Sequence, residues 1–123
     1  MSRLVAALIA LVLSASATLA DPVGAYEVTG TNPGIGSQYS GRVVVQRTGD
    51  TFQVTWAYPG GERVIGIGIG KSDYFAVSYR AGNNIGLAVY TESGGGWVGI
   101  WAFAGSPALG TESWKRVGSN PQR

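Results

Sequence analysis

The stretch Gly110-Thr111-Glu112-Ser113-Trp114 places Gly110, Glu112 and Trp114 on one side of an extended strand. A carboxylate sharing a face with an indole is a place where acid–base or ligand chemistry could start. If that face points inward, Glu112 is a buried charge and needs an arginine or backbone donors to offset its lost hydration. Arg47, on the Phe52 face, and Arg63 are candidate partners; solvation at a rim is the alternative. The remaining glutamates, Glu27, Glu62 and Glu92, fall on separate segments. A glycosidase-type pair flanking one cleft is therefore conceivable, but no spacing supports it.

The chain has no histidine and no cysteine. That removes the commonest general base, the Ser-His-Asp and Cys-His arrangements, and the preferred donors for transition metals. A Ser–Lys dyad could draw only on Lys71 and Lys115, and Lys71 reads as a turn residue. No Asp-x-Asp-x-Asn loop suggests calcium. The expectation is a non-catalytic protein with no metal and no cofactor.

Aromatic side chains are the main concentration of possible binding chemistry. Trp56, Trp97, Trp101 and Trp114, with Tyr26, Tyr39, Tyr79 and Tyr90, are many for so small a domain. Trp97, Gly99 and Trp101 alternate onto one face. Trp56, Trp97, Trp101, Trp114 and Tyr79 are the candidate interior residues, either lining a cup for an apolar or planar ligand or filling the core.

The stretch Glu62-Arg-Val-Ile-Gly-Ile-Gly-Ile-Gly70 raises the question of a phosphate loop. Such a loop needs a following helix whose N-terminal amides face the anion. Here Lys71-Ser72-Asp73 and an aromatic strand follow, and the glycines alternate without the G-x-G-x-x-G spacing. With Lys71-Ser72 as a two-residue loop, Gly70 opposes Asp73, Gly68 opposes Phe75 and Gly66 opposes Val77. The glycines then share a face with Phe75, Val77 and Tyr79 and leave room for bulky rings in a narrow interior. The same register turns Ile65, Ile67 and Ile69 outward as an apolar ridge, a candidate partner surface unless another chain segment covers it.

Short alternating runs separated by turn residues fill the chain beyond residue 21, with no helical period. They predict strands at Gly24–Thr31, Tyr39–Arg47, Thr51–Tyr58, Arg63–Ile69, Tyr74–Tyr79, Ile85–Thr91, Trp97–Phe103 and Thr111–Arg116. Short connectors favour an all-β, eight-stranded antiparallel up-and-down meander barrel over a two-sheet sandwich, which needs a long crossover. A Gly49-Asp50 loop pairs Val45 with Val54 and Val43 with Trp56 on one face. A shift of 45 residues (Trp56 onto Trp101) superposes Gly41, Gly49 and Phe52 on Gly86, Gly94 and Trp97, a weak internal echo.

The first 20 residues separate from the rest. Arg3 precedes the apolar run Leu4 to Leu13, and Thr18-Leu19-Ala20 supplies a small-x-small cleavage pattern. The expected organisation is a signal helix at 1–20, one barrel domain at 21–117 and a disordered tail at 118–123. This implies an exported, periplasmic or secreted product with no membrane span after cleavage. Without Arg3, the nine Lys+Arg fall to eight, against seven Asp+Glu. A thinly spread charge near +1 argues against nucleic acid as a partner.

The order Gly24-x-Tyr26-x-Val28-x-Gly30-x-Asn32-Pro33, followed by Gly49-Asp50-Thr51-Phe52-x-Val54-x-Trp56, Gly99-Ile100-Trp101 and Gly110-Thr111-Glu112, resembles a group of short exported glycine- and aromatic-rich proteobacterial proteins. Some of these carry the label fibronectin-binding protein. The resemblance covers essentially the whole mature chain and implies export and a barrel similar at fold level to avidin and lipocalin. Its motifs are structural glycines and aromatics. The expected role is an interaction module for a protein or matrix partner, in the bacterial envelope or outside the cell; the alternative is a carrier of a small apolar or planar ligand inside the barrel.

Overall fold

The structure is a computed structural model and describes residues 21–34 and 36–117. The expected signal helix and C-terminal tail lie outside the described residues. Eight strands follow one another: β1 (Gly24–Thr31), β2 (Gln38–Thr48), β3 (Thr51–Ala57), β4 (Arg63–Gly70), β5 (Tyr74–Ala81), β6 (Asn84–Ser93), β7 (Gly96–Phe103) and β8 (Gly110–Arg116). Each pairs antiparallel with the next, and β8 returns to pair with β1, so the sheet closes as an up-and-down barrel. Closure leaves no unpaired edge, which matters for a chain without disulfides.

Two-residue turns fix much of the register. Gly49 takes the left-handed φ of 61° at the first position of the β2–β3 turn, and Gly94 does the same at 56° between β6 and β7. Val45 therefore faces Val54, and Val43 faces Trp56. These two hairpins are the halves of the 45-residue echo.

The β4–β5 connection differs from expectation. Lys71, Ser72, Asp73 and Tyr74 all lie between the paired Gly70 and Phe75, and the Lys71 amide bonds the Tyr74 carbonyl at 2.9 Å. Gly68 thus opposes Val77, and Gly66 opposes Tyr79. The slip is two residues, so the facing is preserved. A Cβ at Gly68 would stand 2.7 Å from the Phe75 ring, and one at Gly66 2.8 Å from a Val77 methyl. These glycines are spaces for core side chains.

Inward positions form one core, with Val43, Val54, Phe75, Tyr90 and Trp97 all essentially inaccessible. The end bearing the Asp21–Val23 segment is plugged. Arg116 donates to the carbonyls of Asp21 at 2.9 Å and Val23 at 3.0 Å and covers the Tyr26 ring. Beside it, Arg47 lies over Phe52 and pairs with Asp21 at 3.3 Å.

The outer surface is divided. Glu27, Arg42, Gln46, Gln53 and Lys115 are exposed on β1, β2, β3 and β8, whereas Ile65, Ile67, Ile69, Ile85, Leu87 and Val89 are exposed on β4 and β6. Among the described residues no helix is long and apolar enough to cross a membrane.

Candidate ligand cup

Among the described residues, the end opposite the arginine plug is open. There the β1–β2, β3–β4, β5–β6 and β7–β8 connections surround a cavity of about 490 Å³. Its walls are rings: Tyr39 from β2, Trp56 from β3, Tyr58 just beyond it, Tyr79 from β5, and Trp101 and Phe103 from β7. They meet edge to face, with Tyr39 5.9 Å from Tyr58 and 6.1 Å from Trp101, and Tyr79 5.5 Å from Phe103. Such packing is favourable beyond area burial and holds the walls in place.

Glu112 reaches this cavity from β8 and is only 6 % exposed. Its Oε1 accepts from the Tyr90 hydroxyl at 2.6 Å, the Trp114 indole at 2.9 Å and the Trp56 indole at 3.3 Å. Its Oε2 accepts from the Tyr39 hydroxyl at 2.7 Å. Indole nitrogens can only donate, so Oε1 is held as an acceptor. The two phenol contacts have the short lengths of charge-assisted O–H···O⁻ bonds. Four donors thus replace the water that the carboxylate gives up.

Two glycines make this reach possible. Across the sheet, Tyr39, Gly30, Glu112, Gly99 and Tyr90 form one row of paired residues on five adjacent strands. A side chain on Gly99 would meet the Tyr90 ring at 2.6 Å, and one on Gly30 would meet the Tyr39 hydroxyl. Each tyrosine lies over the glycine between it and the glutamate.

The phenols around the cavity are kept neutral. Burial, reinforced by the Glu112 charge, pushes Tyr39, Tyr79 and Tyr90 far above the ordinary phenol range. Tyr58 is raised the same way, with Glu62 adding to the effect. They are hydroxyl donors throughout the physiological range.

The candidate residues therefore separate. Trp56, Trp101 and Tyr79 line the cup, whereas Trp97 and Trp114, at 1 % and 2 % exposure, are core beneath it. Ile65, Ile67 and Ile69 face solvent at 56, 58 and 58 %. The proposed arginine partners of Glu112 are a correction. Arg47 is engaged at the plugged end, and Arg63 begins β4 on an exposed, outward position. Tyrosine and tryptophan donors take their place. The cup residues Tyr58, Phe103 and Glu62 went unrecognised; Tyr58 and Phe103 border the loops that form the rim, a position that strand alternation does not assign.

Among the described residues no group of His, Cys, Asp and Glu is arranged to hold a metal ion. No protein-family model matches the chain, and no curated protein matches it by sequence.

Proposed function

We propose that this barrel is a non-catalytic binding module whose ligand seat is the open cup. The observation that carries the reading is the cavity itself. About 490 Å³ of space is walled by rings and carries one buried carboxylate that accepts from two phenols and two indoles. That size falls within the range of small-molecule sites, and apolar walls with a few placed polar groups are their usual lining. Eight-stranded barrels either fill completely or hold one small ligand, and the avidin- and lipocalin-like architecture expected from the sequence is consistent with the second case. The absence of histidine and cysteine from the chain supports binding without catalysis. The apolar run Leu4 to Leu13 and the Thr18-Leu19-Ala20 pattern support export, to the periplasm or beyond.

Native mass spectrometry of the protein purified from an exporting bacterial host tests the reading. A co-purified small mass, lost on denaturation and reduced by Trp101→Ala, is the expected result. A bare mass, together with no indole perturbation when small aromatic compounds are titrated in, would remove the cup as a ligand seat.

A second reading, a docking surface for a protein or matrix partner, rests on the outward Ile65, Ile67 and Ile69. On β6, Leu87 and Val89 are exposed at 59 % and 45 %; Ala76 links Ile69 to Val89, whereas Ser78 stands between Ile67 and Leu87.

A further inference from the structure

The charge of the cup is one-sided. Its lining includes two carboxylates, Glu112 in the wall and Glu62 at the rim, and among the described residues contains no lysine or arginine. Two of the barrel's arginines, Arg47 and Arg116, are committed to the opposite end, where each covers a ring and bonds the Asp21–Val23 segment. Arg42, Arg63 and Arg80 are exposed on outward positions. Glu112 therefore has hydrogen bonds but no counter-charge among the described residues: the four groups that bond it are neutral phenols and indoles. Its Oε1 is saturated by three donors. Its Oε2 accepts only from Tyr39 among the described residues and keeps lone-pair capacity.

A ring face turned toward the cavity adds to the same field. The aromatic quadrupole presents negative potential from the ring face, and a cation within about 6 Å of a ring centroid is attracted to it. Tyr39, Tyr58, Tyr79, Trp56 and Trp101 converge on one cavity with a carboxylate among them. An anion would meet two carboxylates without a compensating cation, and a neutral apolar molecule would leave the Glu112 charge unanswered.

We propose that the cup selects an organic cation, an ammonium or alkylated ammonium carried on an apolar or aromatic body. The charged head lies against Glu112 Oε2 among the rings and the body points to the rim. The assignment rests on the cup being the ligand seat and adds the chemical class of its occupant.

The test is a titration of the isotopically labelled protein with benzyltrimethylammonium, followed by the indole N–H resonances of Trp56 and Trp101. Two comparators are its uncharged isostere neopentylbenzene, in which carbon replaces nitrogen, and the anion phenylacetate. The expected result is saturable binding of the cation at least about tenfold tighter than the isostere, with no binding of the anion. Glu112→Gln should lower that preference several-fold, leaving the share that the rings and Glu62 contribute. Should the variant fail to fold, Glu62→Gln at the exposed rim should still weaken the cation alone, by about twofold at low salt and less at high salt. Equal or tighter binding of the isostere or the anion overturns the cation assignment and leaves the cup as a binding site. No saturable shift with any of the three overturns both.

Discussion

Tyr39 and Tyr90 stand two strands from Glu112 on opposite sides, yet their hydroxyls reach the two oxygens of the same carboxylate, at 2.7 and 2.6 Å. The strands between them contribute Gly30 and Gly99 to the row. A glycine in a strand interior ordinarily weakens it by its entropy and its missing side chain. Here the vacant side-chain space is filled by a ring from the next strand, which both covers the backbone and delivers a donor to a buried charge. Fold and site thus depend on the same two positions.

Adding a methyl group at either glycine tests this dependence. In Gly99→Ala the new Cβ would stand 2.6 Å from Tyr90 Cδ1 and against the Val89 carbonyl, so ring and backbone must both shift. The cost should be about 1–3 kcal/mol, as for other overpacked cores, read as a lowered midpoint in urea. Gly30→Ala should behave alike through Tyr39. A midpoint unchanged in both variants would mean that the row has slack the geometry does not show.

Removing the hydroxyls separates the bond from the ring. Tyr90→Phe keeps the core filled but takes one donor from a buried carboxylate, a loss of about 1.5–3 kcal/mol for a bond to a charged group. Tyr39→Phe, at the more accessible oxygen, should cost less. Because both act on one carboxylate, the double variant should depart from the sum of the singles. Strict additivity in the double-mutant cycle would indicate that the two phenols do not share a charge.

Parts of this arrangement were legible in the sequence. The Gly49-Asp50 turn sets the β2–β3 register outright, because a two-residue loop leaves no freedom in which residues oppose. The β4–β5 register was misjudged because Lys71 to Tyr74 form a longer connection. Facing survived the error because a slip of two restores alternation. The parity of Glu112 with Trp114 marks it as a candidate inward charge, with a solvated rim position as the alternative. Its partners were not legible, because a search for opposite charge passes over phenols and indoles. The Tyr39–Glu112 contact also joins β2 to β8 through the closure of the barrel, which no local pattern reveals.

Alkaline pH should unfold the barrel. Tyr39, Tyr58, Tyr79 and Tyr90 all have folded pKa values raised by burial and by Glu112, whereas in the unfolded chain they ionise near pH 10. Above that pH the unfolded state binds fewer protons than the folded state. Stability is therefore intact below about pH 10 and falls as pH rises beyond it, by about 1.4 kcal/mol per unit for each fully shifted phenol. The phenolate absorbance of these four tyrosines should appear together with the loss of β-sheet circular dichroism, in one cooperative step. If these phenols ionise near pH 10 while the sheet signal persists, the neutral tyrosine shell around Glu112 is wrong.

The outer apolar surface should be silent in stability and vocal in association. Ile67 is 58 % exposed on β4 and Phe75 is fully buried on β5, so residues of similar hydrophobicity serve opposite sides of one wall. Phe75→Ala should cost about 3–5 kcal/mol through the cavity it leaves. Ile67→Thr replaces a solvent-facing ethyl group by a hydroxyl and keeps a β-branched side chain suited to a strand, so its effect should stay within about 0.5 kcal/mol. If the second reading is correct, the triple replacement of Ile65, Ile67 and Ile69 by threonine should abolish partner binding at unchanged thermal stability and leave cup titrations unaffected. A fall in stability comparable to that of Phe75→Ala would show instead that another part of the chain covers the ridge, because only side chains buried in the native state carry a cost of that size.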